Sequence, residues 1–224
     1  MKPSLIFDLD GTLVDSLDGI AASLNRTLDL HGLPGHSHRR VRNFIGDGLR
    51  TLIQRAAPAG AQPELIDSLL VCYKPDYAQS WRTGTRLYPG IFQALAGFSA
   101  TGYRLAVLSN KVHDFTTVIV NELLPSIHFD CVLGLRDGMP PKPDPAGALE
   151  IADRLDALPS SCILIGDSEM DVSTAANAGM KSIATTWGYQ DRPRLATAGA
   201  SCFIDSSDEL VSYIRSLESS DLPV

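Results

Sequence analysis

The sequence predicts an α/β fold, in which helices wind on both faces of a mostly parallel sheet and a helical cap domain is inserted after the first strand. Two observations lead to this prediction. Short apolar runs without polar alternation recur along the chain, separated by longer helical patterns, as in parallel sheets that are covered on both faces. After the first run, about 70 residues show helical patterns and few strand signals, an interval far longer than an ordinary loop.

The predicted strands are short and rich in apolar residues, many of them β-branched. They cover residues 5–7, 105–108, 131–133, 163–165, 182–185 and 202–204. Apolar residues at helical spacing predict helices over residues 116–124, 146–155 and 171–178. This alternation of strands and helices is typical of a doubly wound sheet.

The cap is predicted from three amphipathic stretches in the interval after the first strand. Apolar side chains recur there at helical spacing from Ile20 to Tyr73. We therefore assign residues 15–86 to the cap domain, and residues 1–14 and 87–224 to the α/β core. The cap holds nine basic and seven acidic residues, whereas the core holds ten basic and nineteen acidic ones. The acidity of the chain thus belongs to the core.

Composition and charge exclude several classes of protein. The chain has 224 residues, of which 44% are hydrophobic and 20% charged, as in soluble globular proteins. Its net charge of −7 argues against a nucleic-acid-binding face, because such binding depends on cations that neutralise phosphates. No apolar run has the length of a membrane helix or a secretory signal, so we expect a cytoplasmic protein with no membrane partner. Four separated cysteines without a CxxC pair predict reduced thiols.

Two acidic motifs directly follow predicted strands. Asp8-Leu9-Asp10-Gly11 follows the first strand, and Gly166-Asp167 follows the fourth strand and leads to Asp171. Because ligands of open parallel sheets bind beyond the carboxyl ends of the strands, these aspartates are candidates for one site. Each motif alone also fits an acidic turn or a helix start. Clustered carboxylates, however, are the oxygen ligands that Mg²⁺ requires.

Two further segments offer groups that can hold a phosphate. Ser109-Asn110-Lys111 follows the second strand, where a hydroxyl and backbone N–H groups can bind a phosphate oxygen. The same residues also fit an ordinary helix cap. Lys142 lies in the proline-rich loop of residues 140–145, where it is either a fixed cation over a phosphate or a solvated side chain.

In order and spacing these segments resemble the four motifs of the haloacid dehalogenase (HAD) superfamily, across the whole chain. The motifs are Asp8-Leu9-Asp10-Gly11-Thr12, Ser109-Asn110, Lys142 before Pro143, and Gly166-Asp167-Ser168-Glu169-Met170-Asp171. The resemblance implies the Rossmann-like core of that superfamily. It also implies phosphoryl transfer, because the dehalogenases that named the superfamily lack the second acid, here Asp10.

The resemblance implies a role for each motif residue. Asp8 is the expected nucleophile, which forms an aspartyl-phosphate, and Asp10 is the expected acid and base. Mg²⁺ is the implied cofactor. Its expected ligands are the Asp8 carboxylate, the Asp10 backbone carbonyl, Asp167 and Asp171, the last directly or through water. The expected contacts of the phosphoryl group are Thr12, Ser109, Asn110 and Lys142.

The helical cap and three further segments are similar to the phosphoglycolate-phosphatase-like subgroup. One of these segments is Phe44-Ile45-Gly46-Asp47-Gly48-Leu49 in the cap, and caps in this superfamily contribute substrate-selecting contacts. Gly46, Asp47 and Gly48 are therefore candidates to approach a small substrate, and the alternative is a simple turn between helices. Arg50 is a candidate to neutralise a substrate carboxylate, and the alternative is a solvated helix face.

Several functions remain open from the sequence. The leading hypothesis is a Mg²⁺-dependent phosphatase that acts on a small phosphorylated metabolite, with 2-phosphoglycolate as the best candidate. Pyrophosphate, a sugar phosphate and a nucleoside monophosphate are alternative substrates, and a phosphomutase of the β-phosphoglucomutase kind is a less favoured activity. A phospho-accepting signalling module is disfavoured by Asp10 and by the cap. We expect a monomer or a homodimer.

Overall fold

The strand Ser4–Phe7 (β1) lies in the middle of a sheet, between strands that come from much later in the chain. In the computed structural model, which describes residues 2–219, β1 pairs in parallel with Leu105–Val112 (β4) and with Cys162–Gly166 (β6). Cys131–Leu135 (β5) extends the sheet beyond β4, and Lys181–Thr185 (β7) and Phe203–Ile204 (β8) extend it beyond β6. Every pairing of this six-stranded sheet within residues 2–219 is parallel.

The strands lie where the apolar runs predict them, with one difference at β4. β4 continues beyond the apolar run, which ends at Leu108, through Ser109-Asn110-Lys111 to Val112. The pairing of β4 with β5 shifts in register between Leu108 and Val112, and such irregularities change the direction of a strand and of its side chains. The polar trio therefore lies at the end of a strand, as the sequence predicts.

Helices cover both faces of the sheet. The α-helices within residues 2–219 are, in chain order, Leu17–Leu30 (α1), His38–Arg42 (α2), Leu49–Ala56 (α3), Pro63–Ser80 (α4), Ile91–Ala100 (α5), His113–Leu123 (α6), Ala146–Arg154 (α7), Glu169–Ala178 (α8), Arg192–Thr197 (α9) and Ser207–Ser219 (α10). Leu5 and Phe7 of β1 pack into an apolar cluster with α5, α6 and α10, whereas Ile6 packs with α7 and α8 on the opposite face. Successive side chains of a strand point to opposite faces, so both faces are buried and the doubly wound arrangement is confirmed.

The interval after β1 is helical, as the sequence predicts. It begins and ends at a small antiparallel pair, formed by Val14–Asp15 (β2) and Arg86–Leu87 (β3). Helices α1 and α4 pack against each other, with Leu24 of α1 and Leu69 of α4 fully buried. The domain boundaries at residues 15 and 86 stay a prediction, because the buried residues of these helices and of the sheet form one continuous apolar cluster.

Two predictions from composition concern the chain as a whole. None of the helices within residues 2–219 combines the length and apolarity that a membrane crossing requires. The four cysteines form no disulfide among residues 2–219, and Cys131 and Cys162 are buried in the core.

Candidate active site

The carboxyl ends of β1, β4 and β6 bring the motif residues to one edge of the sheet. Asp8 follows β1 directly, Ser109 lies near the end of β4, and Asp167 follows β6. Lys142 reaches the same edge from the loop that precedes α7. Because β1 lies between β4 and β6, residues from distant parts of the chain become neighbours at the position where open parallel sheets bind their ligands.

The turn after Asp10 depends on a glycine. Gly11 has a φ of +88°, a conformation that residues with a side chain rarely adopt. A Cβ atom at this position would lie 2.2 Å from Oδ2 of Asp167, so a larger residue must displace that carboxylate. The first motif therefore turns tightly against the fourth.

Asp8, Asp167 and Asp171 form a buried cluster of carboxylates. One oxygen atom from each lies within 4.8 Å of the others. Burial raises the pKa of Asp8 to about 7, and the charge of Asp171 adds to this rise while Lys142 opposes it. Burial, followed by repulsion from Asp8 and Asp171, also raises the pKa of Asp167 well above its usual value. The ionised cluster therefore needs more positive charge than the surrounding side chains supply.

Lys142 is the buried cation of this cluster. Its Nζ atom lies 3.0 Å from Oδ1 of Asp8 and 2.6 Å from Oδ1 of Asp171, and it donates a hydrogen bond of 3.2 Å to the carbonyl oxygen of Leu108. Burial lowers the pKa of Lys142, but the charges of Asp171 and Asp8 outweigh burial and hold that pKa above its ordinary value. The side chain therefore stays protonated beside Asp8.

Asn110 contacts the backbone of Lys142. Its Oδ1 atom accepts a hydrogen bond of 2.7 Å from the Lys142 N–H, and its Nδ2 atom donates to the carbonyl oxygens of Lys142, at 3.1 Å, and Gly46, at 2.9 Å. The sequence predicts that this side chain contacts the phosphoryl group. In the structure its amide binds backbone groups, so it positions Lys142 and joins β4 to the segment before α3. A contact of Asn110 with a phosphoryl group stays a prediction.

Thr12, which the sequence nominates as a substrate contact, binds one of the clustered carboxylates in the structure. Its side chain is fully buried, and its Oγ1 atom donates a hydrogen bond of 3.1 Å to Oδ1 of Asp167. The other carboxylate oxygen of Asp167 accepts a hydrogen bond of 2.6 Å from the backbone N–H of Tyr189. Thr12 and Tyr189 therefore fix the orientation of the Asp167 carboxylate.

Asp10 is held by two side chains. Nζ of Lys111 lies 3.0 Å from Oδ1 and 2.9 Å from Oδ2 of Asp10, and Oγ of Ser16 donates to Oδ1 at 2.5 Å. Burial lowers the pKa of Lys111, but the Asp10 carboxylate and Tyr77 outweigh burial and raise that pKa above its ordinary value. Lys111 has no assigned role in the sequence prediction, although its position directly after Ser109-Asn110 is a visible signal.

A cavity of about 60 Å³ opens beside Asp8 and Asp10, between the sheet edge and helices α1, α3, α4 and α6. Its wall is largely apolar. Among the described residues that line it, Lys111 carries the positive charge, and the buried hydroxyl of Tyr77 has no hydrogen-bond partner within residues 2–219. The lining residues include four that the sequence nominates as substrate contacts, Gly46, Gly48, Ser109 and Asn110, and the apolar or aromatic residues Ile20, Ile45, Leu49, Tyr73 and Phe115.

The structure places Asp47 and Arg50 outside the cavity wall. Asp47 pairs with Arg55 at 2.5 Å, and Arg50 pairs with Asp67 at 2.8 Å on the exposed surface of α3 and α4. A helix turns by about 100° per residue, so Arg50 points away from the cavity that its neighbour Leu49 lines. A sequence pattern does not resolve which face of a short helix meets the site.

The donor set at the sheet edge fits a divalent cation such as Mg²⁺. The carboxylates of Asp8, Asp167 and Asp171 converge there, and within residues 2–219 the carbonyl oxygen of Asp10 accepts no hydrogen bond. Mg²⁺ takes oxygen ligands of this kind. Asp171 is the least free of the three, because Lys142 binds its Oδ1 while the N–H and hydroxyl of Ser168 bind its Oδ2.

Known proteins share the sequence pattern of this chain. The sequence profile of the family described as haloacid dehalogenase-like hydrolase matches residues 5–185. The chain belongs to this family. The match covers all four motifs and the helices between the first two, so it confirms the resemblance found from the sequence.

Relatives of this haloacid dehalogenase-like hydrolase include curated phosphatases. Phosphoglycolate phosphatase 1 of Pseudomonas aeruginosa is 32% identical over 213 residues, which span 92% of this chain and 78% of the relative. Phosphoglycolate phosphatase of Aquifex aeolicus is 31% identical over 185 residues, which span 83% and 85% of the two chains. Together with the family, these relatives confirm the predicted enzyme class, a phosphoric monoester hydrolase.

Solved structures share the fold of this hydrolase. A crystal structure from Lactobacillus delbrueckii subsp. bulgaricus has a TM-score of 0.89 at 30% identity and covers 96% of this chain and 99% of its own. A crystal structure of a predicted phosphoglycolate phosphatase from Haemophilus somnus has a TM-score of 0.88 at 27% identity and covers 95% and 97%. These likenesses extend over the sheet and the helical insertion alike.

Proposed function

We propose that this hydrolase is a Mg²⁺-dependent phosphatase that hydrolyses a small phosphate monoester, with 2-phosphoglycolate as the best candidate. The observation that carries the proposal is the buried position of Asp8, beside Lys142 and next to a cavity that Asp10 also lines. Asp167 and Asp171 complete the site with carboxylate oxygens. The names of the relatives from Pseudomonas aeruginosa and Aquifex aeolicus support the choice of substrate.

Asp8 is the nucleophile in this proposal. A carboxylate oxygen of Asp8 attacks phosphorus while the bond from phosphorus to the alcohol oxygen breaks, which gives an aspartyl-phosphate. The N–H of Leu9 donates a hydrogen bond of 2.7 Å to Oδ1 of Asp8, and Lys142 contacts the same oxygen. These contacts hold the carboxylate and leave Oδ2 as the attacking atom. The hydroxyl of Ser109, which lines the cavity, binds a phosphoryl oxygen.

Asp10 moves the protons of both steps. It donates a proton to the departing alcohol oxygen, and in the second step it accepts a proton from the water that attacks phosphorus and releases Asp8. Lys111 and Ser16 contact its carboxylate, so it is fixed at the cavity where the alcohol leaves and the water enters. A carboxylate placed two residues after the nucleophile thus serves as acid and then as base.

The metal site uses the donor set at the sheet edge. Mg²⁺ bound by Asp8, Asp167, the Asp10 carbonyl and Asp171, the last directly or through water, supplies positive charge that offsets the repulsion between a carboxylate and a phosphate dianion. Thr12 and the Tyr189 N–H hold the Asp167 carboxylate for this purpose. Lys142 adds a second positive charge beside Asp8.

The size and lining of the cavity favour a substrate with a small leaving group that carries a hydrogen-bond acceptor. We assign the substrate carboxylate to Lys111, because this residue carries the positive charge among the described lining residues. Gly46 and Gly48 let the backbone approach the ligand closely. Pyrophosphate, sugar phosphates, nucleoside monophosphates and transfer to a sugar hydroxyl are the competing outcomes.

A phosphate-release screen tests the proposal. The purified chain is assayed with Mg²⁺ and with EDTA against 2-phosphoglycolate, pyrophosphate, glucose phosphates, nucleoside monophosphates and p-nitrophenyl phosphate. We expect Mg²⁺-dependent turnover, with the highest kcat/KM for 2-phosphoglycolate. A higher kcat/KM for another member of the panel contradicts the substrate assignment, and one stoichiometric phosphorylation without turnover contradicts the catalytic role of Asp8.

A further inference from the structure

Arg42 of α2 clasps a loop of the α/β core. Its Nε atom donates a hydrogen bond of 2.7 Å to the carbonyl oxygen of Tyr189, and its Nη2 atom donates one of 2.6 Å to the carbonyl oxygen of Gly188. These residues follow β7 in the chain, almost 150 positions after Arg42. A guanidinium presents its donors as a rigid fork, so one side chain binds two successive carbonyl groups.

The Gly188–Tyr189 loop that Arg42 binds also holds a carboxylate of the proposed metal site. The N–H of Tyr189 donates a hydrogen bond of 2.6 Å to Oδ2 of Asp167. Gly188 lies equally close, because a Cβ atom at this position would be 2.3 Å from the same oxygen. The Gly188–Tyr189 backbone is thus confined between Asp167 on one side and Arg42 on the other. A shift of this loop by a few tenths of an ångström changes the position of the carboxylate.

The side chain of Tyr189 extends the same connection to Asp10. Its Oη atom accepts a hydrogen bond of 2.8 Å from the N–H of Ser16, and Oγ of Ser16 donates to the Asp10 carboxylate at 2.5 Å. Ser16 lies immediately before α1, where the chain enters the helical insertion. Tyr189 therefore contacts the segments that carry both Asp10 and Asp167.

We infer that Arg42 is a positioning residue, which holds the Gly188–Tyr189 loop against Asp167 and thereby couples the position of α2 to the affinity for Mg²⁺. The inference rests on the metal site of the proposed function. Groups that orient a metal ligand from outside typically change metal affinity by about 10- to 100-fold when they are removed. Arg42 acts through one intervening residue, so we expect the lower end of this range.

Coupling between the two regions is reciprocal. If the contacts of Arg42 strengthen Mg²⁺ binding by a given factor, bound Mg²⁺ favours the clasped position of α2 by the same factor. Local opening of a helix is measured by amide hydrogen exchange. The inference therefore predicts that Mg²⁺ slows exchange in residues 38–43, although these residues contribute no metal ligand.

The first experiment measures Mg²⁺ affinity by calorimetry on the full chain. We expect Arg42→Met to weaken binding by about tenfold, and Arg42→Lys to weaken it similarly, because an ammonium does not form the same fork. Arg39→Met is the matched control: Arg39 lies on the same helix and is exposed, and its side chain makes no hydrogen bond or ion pair within residues 2–219. We expect this variant to bind as the wild type does.

The second experiment compares hydrogen exchange with and without Mg²⁺. We expect the Mg²⁺-dependent protection of residues 38–43 in the wild type and in Arg39→Met, and its loss in Arg42→Met and Arg42→Lys. Thermal unfolding without metal checks that the variants fold. If Arg42→Met does not fold, Arg42→Lys alone tests the role of Arg42.

The outcomes separate the inference from the proposed function. A wild type that binds no Mg²⁺ overturns the metal site itself, and the inference with it. A wild type that binds Mg²⁺, together with folded Arg42 variants whose affinity stays within twofold and whose protection is unchanged, overturns the inference alone.

Discussion

The carboxylate cluster at the sheet edge and the cavity wall formed by the helical insertion are built differently. In the cluster, Asp8, Asp167 and Asp171 are buried, and each is held by at least two hydrogen bonds or ion pairs. In the wall, the residues around the cavity are mainly apolar, and the nearby charged residues Asp47 and Arg50 pair elsewhere. In the proposed mechanism, the sheet thus fixes the reacting groups, whereas the helices shape the space for the leaving group.

The largest expected effect comes from the nucleophile in the cluster. Asp8→Asn removes the attacking oxygen, so we expect kcat to fall by about 10⁴-fold or more. The amide has nearly the same shape and removes a buried charge, so the variant folds. Steady-state assays with 2-phosphoglycolate measure the loss, and circular dichroism checks the fold. Activity close to that of the wild type would contradict the assignment of Asp8 as the nucleophile.

Asp10 lies between the two regions, and its replacement has the next largest effect. Asp10→Asn removes the acid and base but leaves Asp8 in place, so we expect a loss of about 10²- to 10⁴-fold. Hydrolysis of the aspartyl-phosphate slows, and the intermediate accumulates when the leaving group needs no protonation. Rapid quench with p-nitrophenyl phosphate measures it. If no phosphoenzyme is trapped while turnover is impaired, Asp10 acts in another way.

Lys111 tests whether the cavity wall recognises a carboxylate. Lys111→Met removes a charged hydrogen bond to the substrate, so we expect kcat/KM for 2-phosphoglycolate to fall at least about tenfold more than kcat/KM for ethyl phosphate. Ethyl phosphate is the control because it lacks the carboxylate but has a similar alkoxide leaving group. Any effect through Asp10 lowers both values together. Equal losses for the two substrates rule out the recognition role and leave Lys111 as a partner of Asp10.

The cluster also predicts a pH dependence of stability in the metal-free protein. The pKa of Asp8 rises from an ordinary 3.8 to about 7 on folding, so between these values the folded state keeps a proton that the unfolded state releases. The free energy of unfolding therefore falls as pH rises through this window, by up to about 1.4 kcal/mol per pH unit for one proton.

Asp8→Asn provides the comparison, since it lacks this titration. Urea unfolding in EDTA at about pH 5 and about pH 7 measures both proteins, and we expect the variant to gain stability relative to the wild type at the higher pH. A stability difference that does not change with pH contradicts the raised pKa.

The smallest effect is expected for Arg50, which the sequence nominates and the structure excludes from the cavity wall. Arg50→Ala removes an exposed ion pair with Asp67, a contact worth about 0–1 kcal/mol. We expect kcat/KM for 2-phosphoglycolate to stay within about twofold of the wild type. A selective loss on this substrate, with ethyl phosphate unaffected, restores Arg50 as a carboxylate ligand.

The sequence predicts the sheet edge better than the wall because the two depend on different geometry. A strand that ends in Asp8 or Asp167 must deliver that residue to the edge of a parallel sheet, whatever surrounds it. The partners of Asn110 and Thr12 depend on how closely segments that are distant in the chain approach each other, which no local pattern records. The same limit applies to Arg42, whose carbonyl partners follow β7.

The order of strands in the sheet has a consequence for biosynthesis. Leu5 of β1 pairs with Leu105 on one side and with Ile163 on the other, so a nascent chain must grow past residue 166 before its first strand has both neighbours. Until then β1 has an exposed apolar edge, the kind of edge that promotes aggregation. Fragments that stop before β6 therefore lack Asp167 and carry β1 with one unpaired edge. We expect them to be inactive and to precipitate. The segment that supplies Asp167 is therefore also the segment that covers the exposed edge of β1.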